Sequence, residues 1–416
     1  MDLGVSEKVA PLLARVKEFI NTEVLPMEEA YEAEVDSGSR WEFTERQTEI
    51  IETLKAKARG EGLWNFFMTA GEHGSGLTTV EYAYLAEEMG RSPIAAEVFN
   101  CAAPDTGNME VLEKYGSEAQ KAQWLTPLLN GEIRSAYAMT EPGVASSDAT
   151  NICTSAVLDG DEWVINGEKH WISGAGDPRC KIMIVMVKTD PNAAKHKQQS
   201  QILVPLQTKG VEILRAMQVF SMDDAPHGHM HLRFDNVRVP KDNMILGAGR
   251  GFEISQGRLG PGRIHHCMRA LGAAERALEL LCQRATTRVA FGKPLARLGG
   301  NIDIVADARM AIEQARLLTL KTAWMMDNVG PKEARIWISM IKTAVPNVTL
   351  KIIDEAIQMH GGLGVSQDTP LAKMYMGQRT LRLADGPDAV HRMVVGRHEF
   401  KKYMDQGSVN ATFRDG

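Results

Sequence analysis

Ile152-Cys153-Thr154-Ser155-Ala156-Val157-Leu158-Asp159-Gly160-Asp161-Glu162-Trp163-Val164-Ile165-Asn166-Gly167 is the stretch on which the fold turns. Residues 152–158 read as a strand, Asp159-Gly160 as a turn, Trp163-Val164-Ile165 as a second strand and Asn166-Gly167 as a second turn. Upstream the period is helical. Val9, Leu12, Leu13, Val16, Phe19 and Ile20 share a face. Thr44 with Gln47 makes a capping box before Ile50, Ile51 and Leu54. Thr78 caps a helix through Tyr82, Leu85 and Met89 that Gly90 ends, and Ser117 with Gln120 repeats the box before Trp124, Leu125 and Leu128. Asn130-Gly131 closes this block. Downstream, residues 181–188, 201–206 and 229–239 read as strands, with a polar loop over 190–200. Helical spacing then returns over 263–287, 302–328, 332–360 and 370–383, with Pro346 set to kink the third. The chain divides into a helical block (1–131), a β block (132–247) and a second helical block (248–416) with the lengths of an antiparallel bundle. The class is α+β, mostly helical.

Bulk properties exclude several functions. A net charge of -6 does not favour nucleic acid or an anionic membrane. Cys101, Cys153, Cys180, Cys267 and Cys282 are an odd number at wide spacing, which suggests neither a disulfide framework nor a zinc site, and points to reduced thiols in a cytoplasmic chain. Residues 1–10 lack the apolar run of a secretory signal, and no eighteen consecutive apolar residues predict a membrane span. The ending Arg414-Asp415-Gly416 is not a peroxisomal address.

The usual nucleotide fingerprints fail. Gly247-Ala248-Gly249-Arg250-Gly251 runs into Phe252 rather than completing a dinucleotide turn, and there is no Walker loop, nucleophile elbow or zinc-protease helix. One cluster stands out: Tyr137-Ala138-Met139-Thr140-Glu141-Pro142-Gly143-Val144-Ala145-Ser146-Ser147-Asp148. Its hydroxyls and turn amides suit a flavin edge and a phosphate, although a serine-rich surface loop has the same composition.

This cluster resembles the signature Y-x-x-T-E-P-x-x-x-S-D of the acyl-CoA dehydrogenases. Four further motifs follow that family's order: His73-Gly74-Ser75-Gly76-Leu77, Asn166-Gly167-Glu168-Lys169-His170-Trp171-Ile172-Ser173, Arg288-Val289-Ala290-Phe291-Gly292 and Gln358-Met359-His360-Gly361-Gly362. The resemblance covers nearly the whole chain. It implies an N-terminal helical domain, a β-barrel-like middle domain and a C-terminal four-helix bundle, with FAD as cofactor and an acyl-CoA as substrate. By resemblance Tyr137, Met139, Thr140, Trp171 and Ser173 line the flavin. Ser147 or Ser146 lies between flavin and substrate, the choice left open by one extra residue in the loop. Arg288 and Phe291 reach the FAD of a neighbouring subunit, and Gln358, Gly361 and Gly362 hold its adenosine part, so a homodimer or homotetramer is implied. Arg263 falls near the substrate. On chemistry alone Trp171 fits a core, Arg288 a surface pair and the two glycines a helix end equally well.

The family's base is a carboxylate before glycine, usually glutamate; here the position is Asp385, followed by Gly386. The alternative family position, just before the substrate arginine, is Gly262 and carries no carboxylate. Asp388 fits a cap for the last helix. Residues 381–388 with 257–266 look like the dehydrogenase domain of the animal kinase-fused branch, without a kinase here, which makes long or 4-hydroxylated acyl chains candidate substrates. An electron-transferring flavoprotein is the acceptor the family implies. Two rivals stand beside this: a nitroalkane oxidase, which also uses aspartate, and a DNA-binding superfamily member, for which Lys401, Lys402, Arg392 and Arg397 are too few cations. His227, His229 and His231 alternate and could share one strand face, but surface or channel lining is preferred to metal binding. His265 and His266 are adjacent on a helix and point apart.

Overall fold

Three reciprocal capping boxes set the helices of the first block: Thr44 with Gln47, Thr78 with Glu81 and Ser117 with Gln120, each with both bonds formed. The computed structural model describes residues 1–404; the ending Arg414-Asp415-Gly416 lies outside them. Two compact units emerge, residues 6–262 and residues 263 onward with Met1–Val5.

In the first unit, the helices Ala10–Phe19, Glu45–Gly60, Thr79–Met89 and Asp105–Tyr115 bury Phe19, Ile51, Leu54, Tyr82, Leu85 and Met109. A seven-stranded sheet follows: β1 (Arg134–Ala138), β2 (Ser155–Asp159), β3 (Glu162–Ser173), β4 (Cys180–Lys188), β5 (Gln199–Pro205), β6 (Val211–Ala216) and β7 (His229–Pro240). The order is β1-β4-β2-β3-β7-β6, with β5 also on β4. β1 and β4 are parallel, and the other extended pairings are antiparallel. β1 and β6 were not among the predicted strands. β6 is half-exposed and mixes charge with apolar residues, while β1 is five residues long. The sheet core comprises Ile165, Ile172, Met183, Val185, Ile202, Leu232, Phe234 and Val237 among others.

The expected turn at Asn166-Gly167 is not a turn. β3 runs unbroken through it, and the β3–β7 register shifts between Ile165 and Gly167. Asn166 Oδ1 accepts the amide of Asn236 at 2.8 Å. Gly167 has φ +148, and a Cβ there would sit 2.6 Å from Thr154 Oγ1. Bulge and turn call for the same residue pair, which is why the sequence pattern pointed to the wrong one.

A buried ionic cluster ties the helical block to the sheet within this unit. Arg134, at the start of β1, contacts Glu97 at 2.5 Å and also pairs with Asp105. Arg179 reaches Glu97 at 2.6 Å and Asp177 at 2.8 Å, and His227 Nδ1 lies 2.7 Å from Asp177. Burial opposes charge on Glu97 and Asp177, but Arg134, Arg179 and His227 outweigh it for Glu97, and His227 and Arg179 for Asp177, holding both well below the usual carboxylate range.

The helix Gly251–Thr287 starts twelve residues earlier than the spacing predicts and contains Pro261. In the second unit Ala274, Ala277, Leu278 and Leu281 from its later turns pack with Ile312 of the helix Asn301–Asn328 and with Ile352, Ile353 and Ala356 of the helix Pro331–His360. Pro346 lies inside this last helix without ending it. Within Pro331–Val365 an eighteen-residue window is apolar enough, at mean hydropathy 1.2, to match a membrane span by length and composition, which the search for unbroken apolar runs missed. Packing of Ile352, Ile353, Ala356 and Met359 accounts for much of that apolarity. The helices Leu371–Thr380 and Asp388–Met404 complete the described chain. Asp388 opens the last helix but its carboxylate does not cap it: Oδ2 accepts from Arg382 Nε at 2.8 Å and Asn347 Nδ2 at 3.1 Å, side chains that claim it ahead of the helix amides, and Oδ1 accepts no bond among the described residues.

Candidate active site

The signature loop is pinned from below by one buried ion pair. Lys169 of β3 is fully buried and donates to Glu141 Oε1 at 2.8 Å and to the carbonyl of Met139 at 3.0 Å. Glu141 also accepts the amides of Cys153 at 2.7 Å and Thr154 at 2.9 Å. Burial opposes its charge, yet Lys169 and these bonds hold the carboxyl below its ordinary value. The amide of His170 donates to the carbonyl of Thr140 at 2.9 Å. The loop's Met139 and Thr140 are thus hung on β3. The sequence showed Glu141 and Lys169 inside the motifs but gave no sign that they meet.

β3 carries a second irregularity, between Lys169 and Ile172, where two residues face one on β7. Trp171 lies in it with φ +57 and is 40% exposed. A bulge that turns a large aromatic outward in left-handed backbone is an uncommon conformation, of the kind found at binding sites. Ser173 Oγ lies 2.8 Å from His229 Nδ1, and the Trp171 and His229 rings are 6.0 Å apart. Tyr137 points its hydroxyl to Ser255 Oγ at 3.0 Å and Gln201 Nε2 at 2.9 Å, with the Arg258 guanidinium 3.9 Å over its ring. Ser146 is turned inward and accepts the Glu141 amide at 2.8 Å, whereas Ser147 is exposed. His227 precedes β7, so the three alternating histidines do not share one strand face; they pair with different carboxylates, Asp177, Asp224 and Glu168. No group of three metal-ligand side chains converges among the described residues.

The second unit holds two further sets of expected residues. Arg288, Gln358, Gly361 and Gly362 line one cavity of about 540 Å³, together with Arg284, Asn301 and Glu355. Gly361 ends the helix Pro331–His360 with φ +66, so helix end and cavity wall are the same residue. Arg284 and Arg288, one helical turn apart, present two cations there, and Arg284 Nε is buried without a hydrogen-bond partner among the described residues. Such a donor set suits the phosphates and hydroxyls of a dinucleotide. Phe291 is 96% exposed at φ +49 on a tight hairpin and projects away from the unit.

Asp385 lies between the last two helices at φ +55, and Gly386 follows at φ +102. A Cβ on Gly386 would stand 2.9 Å from His391 Nε2, so only glycine fits. The Asp385 carbonyl accepts from Arg263 Nε at 2.8 Å and lies 3.3 Å from His391 Nε2. Burial draws the His391 imidazole down to about 4, so it is neutral near pH 7 and donates here. Asp385 Oδ2 lies 3.4 Å from His266 Nε2. Arg263 and Asp385, expected near the substrate, are therefore joined; His266 is a member that the sequence reading set aside.

Comparison with known proteins follows the same lines. The chain matches the family models for the N-terminal, middle and C-terminal domains of acyl-CoA dehydrogenase over residues 6–132, 136–237 and 249–400. FadE2 of Mycobacterium tuberculosis, assigned as an acyl-CoA dehydrogenase, is 52% identical over 403 residues, 97% of this chain and 98% of that one. Acyl-CoA dehydrogenase family member 11 of Homo sapiens is 53% identical over 402 residues, 95% of this chain and 51% of that one. The chain spans about half the length, or less, of several curated relatives it matches. A solved structure from Mycobacterium abscessus, also assigned as an acyl-CoA dehydrogenase, has 53% identity and a TM-score of 0.93, covering 96% of this chain and all of that one.

Proposed function

This chain belongs to the acyl-CoA dehydrogenase family, and from that premise we propose that it converts an acyl-CoA thioester to the 2-enoyl-CoA with Asp385 as the base. The family is FAD-dependent, and the chain is an oxidoreductase of its fold, with helical, β half-barrel and helical domains. The single observation that carries the assignment of the base is the anchoring of Asp385: its peptide is gripped through the carbonyl by Arg263 and His391, and its carboxylate faces His266.

The chemistry requires two C–H bonds to break. The Cα–H proton passes to a carboxylate oxygen of Asp385 while the Cβ–H leaves with its electron pair as hydride. Bound FAD supplies the hydride acceptor. Everything else is the work of side chains. Aspartate is one methylene shorter than the family's usual glutamate, and a misplacement of about 1 Å costs on the order of a hundredfold in rate. The left-handed backbone at Asp385 and its two carbonyl anchors fix where the short side chain starts. Trp171, exposed in its bulge, is placed to cover a flat ring and exclude water, and Ser147, rather than the inward Ser146, offers an open hydroxyl.

Several finer assignments belong to the same proposal. The exposure of Phe291 and the orphaned Arg284 Nε beside Arg288 support a cavity completed by a second copy, hence a homo-oligomer. An electron-transferring flavoprotein is the proposed acceptor. Long or 4-hydroxylated acyl chains are the first substrates to try. A reducing, cytoplasmic compartment is proposed on the five widely spaced cysteines, three of them buried thiols. The test is anaerobic mixing of the FAD-loaded protein with a panel of acyl-CoAs: bleaching of the flavin band by at least one supports the reading. A protein that binds no FAD, or is bleached by none of them, refutes it. Fast reoxidation by oxygen would instead favour the oxidase reading.

A further inference from the structure

His266 lies one turn beyond Arg263 on the helix Gly251–Thr287, and its Nε2 points to Asp385 Oδ2 at 3.4 Å. Its other ring nitrogen settles which proton it carries. Arg269 Nη2 stands 3.4 Å from His266 Nδ1, and a guanidinium only donates, so Nδ1 is the acceptor and the proton resides on Nε2, facing the carboxylate. Burial holds His266 below its ordinary value despite the attraction of Asp385, with Arg269 and Lys342 adding to the depression. The ring is therefore a neutral donor near pH 7.

Several neighbouring groups hold the backbone around Asp385 or are engaged by other partners. Arg263 and His391 bond its carbonyl, and Lys342, buried in the helix Pro331–His360, donates to the carbonyl of Leu381. Asp388 is engaged by Arg382 and Asn347. His265, adjacent in sequence, is buried and drawn down to about 3 by burial. The carbonyl anchors set the backbone of Asp385, whereas the contact with His266 bears directly on rotation about its Cα–Cβ bond.

We propose that His266 is a positioning residue for the base, its neutral Nε2–H holding one carboxylate oxygen of Asp385 and so fixing the rotamer that meets the substrate α-carbon. This rests on the reading of Asp385 as base. A neutral donor suits the task better than a cation. An arginine in its place would orient the carboxylate equally well but would depress its basicity far more. The 3.4 Å separation is long for a hydrogen bond, and such contacts tighten when substrate closes the site.

The experiment compares FAD-loaded wild type with His266→Leu, which removes the donor, and His266→Gln, whose amide reaches the Nε2 position. His266→Asn, too short to reach, serves as the donor-free variant should the leucine form fail to fold. With the acyl-CoA that bleaches wild type best, the donor-free form is expected to lose roughly tenfold or more in kcat while KM stays within about twofold. The acid limb of its kcat profile is expected to rise by about one pH unit, because removing a donor to the charged form raises the base's pKa. His266→Gln should restore most of both. Infrared difference spectra against Asp385→Asn follow the same carboxyl without substrate, and its titration midpoint should rise in the donor-free form and not in His266→Gln. An unmoved midpoint, or His266→Gln falling as far as the donor-free form, overturns the role of His266. Absence of bleaching in wild type with every acyl-CoA overturns the function instead, and the infrared midpoint is still read.

Discussion

Replacing Lys169 with methionine tests whether the buried pair under the signature loop is what holds it. Methionine matches the length of the lysine stem, so no cavity confounds the result. What disappears is the ammonium that donates to Glu141 at 2.8 Å and to the Met139 carbonyl at 3.0 Å. Glu141 keeps the amides of Cys153 and Thr154 but is left as a buried charge without a counter-ion. Breaking such a pair from one side costs about 3–5 kcal/mol. The two surviving amide donors put the expected loss near the lower end, about 3 kcal/mol. For a cooperative unit of roughly 250 residues this lowers Tm by about 6–12 °C. Guanidinium denaturation followed by tryptophan fluorescence gives the stability, and FAD released on gel filtration gives the second readout. Retention of FAD should fall with stability, because Met139 loses the bond to its carbonyl. The double variant Glu141→Gln/Lys169→Met, which buries no charge and keeps a side-chain oxygen to accept from the Cys153 and Thr154 amides, should recover much of the stability. A Lys169→Met protein within about 0.5 kcal/mol of wild type, with full FAD retention, would refute the role assigned to the pair.

Asp385→Asn should keep fold, FAD and ligand binding, since asparagine tolerates φ +55, yet give a flavin spectral perturbation without bleaching; bleaching at the wild-type rate would remove Asp385 as the base. Asp385→Glu retains a carboxylate but strains the left-handed backbone by about 1–2 kcal/mol, so intermediate bleaching rates are expected in the same stopped-flow assay. Arg288→Ala should change unfolding by less than about 0.5 kcal/mol, because Arg288 is exposed, while FAD content falls; unchanged FAD content in a monomeric protein would contradict the shared cavity. His391 has its folded pKa lowered from 6.5 to about 4, so the unfolded chain binds more protons in that window and stability drops as pH falls through it. His391→Gln should flatten the slope of unfolding free energy against pH between these values, and an equal slope in both proteins would count against it.

Local chemistry made much of the fold legible. Thr44, Thr78 and Ser117 cap the predicted helices, Thr44 and Ser117 with the predicted partners and Thr78 with Glu81, which the sequence reading did not name; Gly160 at φ +62 makes the predicted hairpin turn. These signals depend on residues within four positions of one another. The start of the helix at Gly251 was hidden because Gly257, Gly260, Pro261 and Gly262 are poor helix formers that tertiary packing overrides. In the site, motif order pointed to Arg288, Gln358 and Gly361, which share a cavity, and to Arg263 and Asp385, which share a bond. His266 was not legible, because its partner is more than a hundred residues away and helical spacing gives only its face, not what that face meets. Lys169 and Glu141 were visible as letters of two motifs, but their pairing was not.

The cluster of Glu97, Asp105, Arg134, Asp177, Arg179 and His227 has a consequence for modularity. Two of its carboxylates come from the helical block, and both arginines come from the β block, Arg134 at the start of β1 and Arg179 in the turn just before β4. A fragment cut at residue 131 would strand Arg134 without Glu97 and Asp105, and a chimera joining this sheet to a relative's helices would need all six positions to match. Recombination between homologues is therefore tolerated after the cluster is complete, beyond His227, and penalised between Glu97 and Arg179. Within the first unit, the helical block and the sheet are inherited as one piece although they look like two in the sequence.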